Sequence, residues 1–144
     1  MKKFLLLVLS SALFLSACGA PEGISVKIDV PAQVKVDESF DLVVNIMNES
    51  DESQELNSID IGHDYLKGVL IESSDPNYTE SWDFDLLGFM SYDYVTELAA
   101  GETLQVTYTM KAISAGDYSD SLDVCFNTVS DCLYNTIRTI VEVE

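Results

Sequence analysis

The stretch Thr103-Leu104-Gln105-Val106-Thr107-Tyr108-Thr109-Met110-Lys111-Ala112 alternates without a fault. Leu104, Val106, Tyr108, Met110 and Ala112 share one parity, and threonines, a glutamine and a lysine fill the other. Successive side chains of an extended chain point to opposite faces, so this period predicts a strand with one face buried. The pattern recurs upstream. Phe40, Leu42, Val44 and Ile46 form a second such face. Before them Ile24, Val26, Ile28 and Val30 alternate, Pro31 interrupts, and Val34 and Val36 resume the same parity. Leu56, Ile59 and Ile61 predict a strand of weaker alternation after the polar run 48–55, and Val69-Leu70-Ile71 predicts a short buried one. Asp75-Pro76-Asn77 signals a turn, and Met90, Tyr92 and Tyr94 alternate again. Residues 62–88 are the irregular part, expected as an insertion or an extended middle connection.

The last two predicted strands, 118–126 and 131–143, constrain each other. Leu122, Val124 and Phe126 are even, whereas Leu133, Ile137, Val141 and Val143 are odd. Opposed residues share a face, so a register that unites both apolar sets pairs even positions with odd ones. The same register allows Cys125 to face Cys132 on the outer side, at a Cα spacing that a disulfide tolerates. Closing so short a loop stabilises the fold by about 2–3 kcal/mol. There is no Cys-x-x-Cys motif, so the expected role of the pair is structural. Seven or eight short strands separated by turns predict an antiparallel sandwich.

Three segments carry a family likeness: residues 31–40, Leu98-Ala99-Ala100-Gly101-Glu102 and Gly116-Asp117-Tyr118. They resemble bacterial immunoglobulin-like domains, in which a Gly-Glu turn precedes a strand and Gly-Asp-Tyr opens the penultimate one. The resemblance implies an all-β, antiparallel immunoglobulin-like β-sandwich of seven to eight strands over residues 24–144. It also implies a first strand that breaks near Pro31 and continues on the other sheet. The antibody-type inter-sheet cysteine pair is missing.

The N-terminus sets the expected compartment. Met1-Lys2-Lys3 precedes an apolar run at residues 4–15, too short to cross a bilayer core, which takes about 20 residues. Leu15-Ser16-Ala17-Cys18 resembles the bacterial lipobox. The resemblance implies that residues 1–17 are a lipoprotein signal peptide, cut before Cys18, whose thiol carries a diacylglyceryl group. The expected location is then the exported side of the cell membrane or outer membrane. Residues 18–23 are left as a tether of at most about 18 Å, and Cys125 and Cys132 remain as a pair in an oxidising compartment.

The formal net charge is −18, with 25 acidic residues against seven basic ones. Such a chain repels a phosphate backbone, which excludes nucleic acid as a partner, and leaves divalent cations and cationic partners open. Calcium suits the oxygen-rich composition, with candidate ligands at Glu49, Asp51 and Glu52 and at Asp83 and Asp85, although neither cluster follows the Asp-x-Asp-x-Asp-Gly spacing. Tyr78, Trp82 and Phe84 with Asp83 and Asp85 suggest a sugar platform. The competing reading is that Trp82 and Phe84 cover one open end of the core. His63, the only histidine, has Asp64 beside it but no Gly-x-Ser-x-Gly motif. Carboxylate pairs drawn from Asp83, Asp85, Asp93 and Glu97 are expected by chance in so acidic a chain. The expected function is a membrane-anchored, non-catalytic binding or structural module with an envelope protein partner. A calcium- or glycan-binding domain centred on residues 75–94 is the runner-up. Ordinary sandwich topology further places the 48–55 loop and the 125–132 loop at the pole of the tether.

Overall fold

The computed structural model describes residues 21–143; the predicted signal peptide and Cys18 lie outside the described residues. The chain runs β1 (Ile24–Asp29), β2 (Gln33–Lys35), β3 (Ser39–Asn48), β4 (Gln54–Gly62), α1 (His63–Leu66), β5 (Val69–Asp75), β6 (Glu80–Phe84), β7 (Phe89–Leu98), β8 (Thr103–Ala112), β9 (Gly116–Phe126) and β10 (Cys132–Glu142). Two sheets face each other, one ordered β1-β3-β8-β5 and the other β2-β10-β9-β4-β7-β6. The class is as expected, an all-β immunoglobulin-like sandwich, but with ten strands among the described residues rather than seven or eight.

Two features account for the surplus. The first strand does break at Pro31. β1 pairs antiparallel with β3, and after the break β2 runs parallel to β10 in the other sheet. Residues 62–88, expected as an insertion or long connection, contribute an edge strand to each sheet: β5 beside β8, and β6 beside β7. A short buried strand was expected at Val69-Leu70-Ile71, and β5 runs on to Asp75 at a sheet edge; β6 was not expected as a strand. In β5 Val69 is buried and Leu70 exposed, as alternation requires, and a register shift between Ile71 and Ser73 then moves the inward position to the buried Ser74. All five residues of β6 are exposed.

The alternating apolar sets meet between the sheets. Leu42, Val44 and Ile46 of β3, Val106, Tyr108 and Met110 of β8, and Leu122, Val124 and Phe126 of β9 are all completely buried. β4 shows why its alternation looked weak: a bulge between Leu56 and Ser58 shifts the inward parity from even to odd, so Leu56, Ile59 and Ile61 all face the core. The polar groups within the core are paired. The Tyr94 hydroxyl donates to that of Tyr108 at 2.8 Å, and the Thr139 hydroxyl donates to the Pro31 carbonyl while lying 3.0 Å from the Tyr65 hydroxyl. Tyr118, third residue of the Gly-Asp-Tyr motif, lays its ring over Gly68, where a Cβ would collide with it.

One pole is tied by a single buried amide. The Asn48 side chain donates to the carbonyls of Glu52, Leu98 and Ala99, and accepts from the Ser50 amide and hydroxyl. Its backbone receives the Gly-Glu turn: Gly101 N–H donates to the Asn48 carbonyl, with Gly101 in the left-handed region at φ 76°. The Gly23 carbonyl accepts from Glu49 N–H at this end, and Asn127 N–H donates to the Glu55 carbonyl. The N-terminal approach, the 48–55 loop and the disulfide loop therefore share one pole.

A carboxylate in place of the Asn48 amide would face three carbonyls with no donor. Asn48→Ala is expected to destabilise by about 1–3 kcal/mol. Asn48→Asp should destabilise more at pH 7, with the gap narrowing at pH 3 where the acid is neutral. Thermal melts of the two variants at both pH values check this, and an Asn48→Asp protein melting like the parent would refute the assignment.

Candidate functional site

The outer face of the six-stranded sheet is not a simple solvated surface. The register sets Trp82 opposite Ser91 and Phe84 opposite Phe89 across β6 and β7. β4 continues these rows, with Asp60 between Ser91 and Asp123, and Ser58 between Asp93 and Cys125. Ser58, Ser91 and Cys125 point outward by parity and are nevertheless buried, because other groups cover them.

The cover encloses an outward-opening cavity of about 480 Å³. Its walls are Trp82, Phe84, Leu87, Phe89 and Val129, and its polar lining is Asn57, Ser58, Asp60, Ser91 and Asp93. Two turns bring in the outlying walls. Leu87 comes from the β6–β7 turn, where the amides of Leu87 and Gly88 both donate to the Phe84 carbonyl and Gly88 takes φ 82°. Val129 comes from the β9–β10 loop, which the Cys125–Cys132 disulfide closes in the expected register. The Cys132 sulfur lies 3.6 Å from the Val129 carbonyl oxygen, and the Cys125 sulfur lies 3.7 Å from Asp60 Oδ2.

Asp60, Asp93 and Asp123 are among the carboxylates of this face. Ser91 Oγ donates to Asp60 Oδ1 at 2.6 Å, and the Trp82 indole N–H donates to Asp93 Oδ2 at 3.0 Å. Among the described residues no lysine or arginine forms an ion pair with Asp60, Asp93 or Asp123. Burial raises the Asp60 pKa, and burial followed by the charge of Asp60 pushes Asp123 up to about 6. Asp123 Oδ1 is buried with no hydrogen-bond partner among the described residues.

The residues expected to act together are divided. Trp82 and Phe84 share the outer face, but Asp83 between them turns the other way and lies 3.1 Å from His63 Nε2. Trp82 and Phe84 do not close an end of the core: they are 52% and 43% exposed on an edge strand. Tyr78 leaves the supposed platform altogether, packing edge-on against Tyr92 with ring centroids 5.1 Å apart; Tyr92 in turn meets the buried Tyr108. Asp85 belongs to the turn after β6, where its carbonyl accepts from Gly88 N–H. Asp51 and Glu52 are exposed at the tethered pole, and Glu49 accepts from the Ser25 hydroxyl. Among the described residues no three His, Cys, Asp or Glu side chains are placed to hold a metal ion. No hydroxyl among them is hydrogen-bonded to the His63 imidazole, although Asp83 is beside it. Asp60, Asp123, Ser58 and Ser91 went unnoticed in the sequence. Their outward parity was readable, but their assembly depends on pairings between distant strands.

The sequence matches no protein-family model and no curated protein. Solved structures do match in fold. Alpha-2-macroglobulin of E. coli in its native conformation superposes with a TM-score of 0.56 at 15% identity, over 84% of this chain and 7% of its own. A piece of the same E. coli protein, from domain MG7 to the C-terminus, gives 0.53 at 16% identity over 88% of this chain and 17% of its own. The cupredoxin domain of amoB from Nitrosocaldus yellowstonii gives 0.54 at 7% identity, over 85% of this chain and 89% of its own. The chain thus spans a small fraction of the macroglobulins it matches, and identities this low establish the immunoglobulin-like sandwich and nothing further.

The raised Asp123 has a signed consequence. Between its unfolded value near 3.8 and its folded value of about 6, the folded state holds more protons than the unfolded one. Stability therefore falls as pH rises through that window. Asp123→Asn is expected to melt higher than the parent at pH 7 and to flatten the decline between pH 4 and 6. Melting curves across that range test it, and a variant that melts lower at pH 7 would contradict it.

Proposed function

We propose that this chain is a lipid-anchored envelope protein whose sandwich is a non-catalytic binding module, and that it binds through the outer face of the six-stranded sheet around Trp82. The carrying observation is the cavity. Large apolar side chains scattered singly over a surface need no explanation, but here two aromatic rings of β6, one of β7 and two loop side chains converge on one concavity. A pocket of that volume with a few polar groups is the usual form of a small-ligand site. Much of its wall comes from residues 75–94, so the reading keeps the location of the runner-up while replacing Asp83 and Asp85 by Asp60 and Asp93.

The anchor rests on the lipobox resemblance at Leu15-Ser16-Ala17-Cys18. Two acyl chains hold a protein stably at a bilayer, each buried CH₂ contributing about 0.8 kcal/mol. With the tether at the pole of residues 48–55, an acidic end faces the lipid. The cavity opens sideways and stays accessible.

Expressed in a bacterium that processes lipoproteins and fed an alkyne-tagged fatty acid, the full chain should label and sediment with membranes. Cys18→Ala should do neither. In the same membranes a photo-crosslinking residue at Leu86, which is fully exposed beside the cavity, should capture envelope material that one at Met47 on the other sheet does not. An unlabelled parent chain overturns the anchor, and equal capture at both positions overturns the assignment of the face.

A further inference from the structure

We propose that the cavity beside Trp82 binds the quaternary ammonium group of a small organic cation, an assignment that rests on the reading of this face as the binding face. The chemistry of the wall and floor selects among occupants. An acyl chain would cover Asp60 and Asp93 with hydrocarbon and leave two carboxylates desolvated without a counter-charge. An anion would meet the same carboxylates as a like charge. A tightly held metal ion asks for several charged ligands at short range, and among the described residues no three His, Cys, Asp or Glu side chains are placed together for one.

An alkylated ammonium satisfies both halves of the pocket. Its methyl groups can lie against the rings of Trp82, Phe84 and Phe89, where a cation is attracted by the aromatic quadrupole. Its charge can be balanced by Asp93 and Asp60. Each of those carboxylates already receives one side-chain hydrogen bond, from Trp82 or Ser91, which holds it in place and leaves its charge uncancelled. A quaternary nitrogen has no N–H and asks for no further acceptors. The strong net negative charge of the chain raises the local concentration of any cation, and a cavity of about 480 Å³ encloses a solute rather than a chain segment.

Trp82 is the only tryptophan of the chain, so its fluorescence reads this site without labelling. The full chain in detergent is titrated with choline chloride at constant ionic strength, and in parallel with 3,3-dimethylbutan-1-ol, which has the same shape without the charge. Choline is expected to change the Trp82 emission saturably, with a half-saturation at least about tenfold lower than that of the neutral alcohol. Asp93→Asn keeps an acceptor for the indole and should weaken choline by about tenfold, since it removes one charge from the floor. Phe84→Leu, at a half-exposed position where folding is not at stake, should weaken choline more than it weakens the alcohol. The proposal is overturned if the two probes saturate alike, if choline gives no saturable change, or if Asp93→Asn leaves its half-saturation unmoved. None of these failures touches the fatty-acid labelling or the crosslinking at Leu86, so the ligand class and the broader reading fail separately.

Discussion

The register of β9 on β10 decides most of what this molecule has. Pairing Val124 with Leu133 and Leu122 with Asn135 sends Leu122, Val124 and Phe126 to the core. The same pairing sends Asp123 and Cys125 to the outside. A slip of one residue would exchange the two faces. The hydrophobic effect fixes the register from within, and the cysteines lock it from without. Once locked, the 127–131 loop folds against the outer face and Val129 becomes a wall. The same register carries Asp123 to a position beside Asp60, because β4 pairs with β9 on its other edge. The core face of this hairpin, the disulfide and the Val129 wall of the cavity follow from a single choice of pairing.

How much of this was legible follows from how local each feature is. The strands with unbroken alternation, β3, β8 and the β9–β10 hairpin, could be read from their own residues, and so could the opposition of Cys125 and Cys132. β4 was blurred because a bulge changes its inward parity midway. β6 was hard to see for a different reason: none of its residues reaches the core, its apolar pattern is only Trp82 and Phe84, and it is a strand because β7 offers it hydrogen bonds. The candidate site was misread through a neglected local rule. Neighbours in an extended segment face opposite ways, so Asp83 could not share a platform with both Trp82 and Phe84 if that segment was a strand. The acids that do share their face, Asp60 and Asp93, lie on strands whose adjacency is set by long-range topology. No window of sequence contains it.

The acidic row also explains a tension within the fold. Asp60 and Asp123 are adjacent across two strands, partly desolvated, and without a basic partner among the described residues. Such an arrangement works against folding at neutral pH, where both are driven to ionise. It persists because the opposite face of the same strands is completely buried and the disulfide ties the hairpin that bears Asp123. The sheet has a stable side and a strained side, divided strand by strand through parity. A cation held at Asp60 and Asp93 would relieve the strained side, and anything that binds only the folded state stabilises it. In the proposed orientation, with the tethered pole toward the lipid, that side looks along the membrane surface. The cavity would then meet solutes that the acidic pole leaves unobstructed, without the domain moving on its short link.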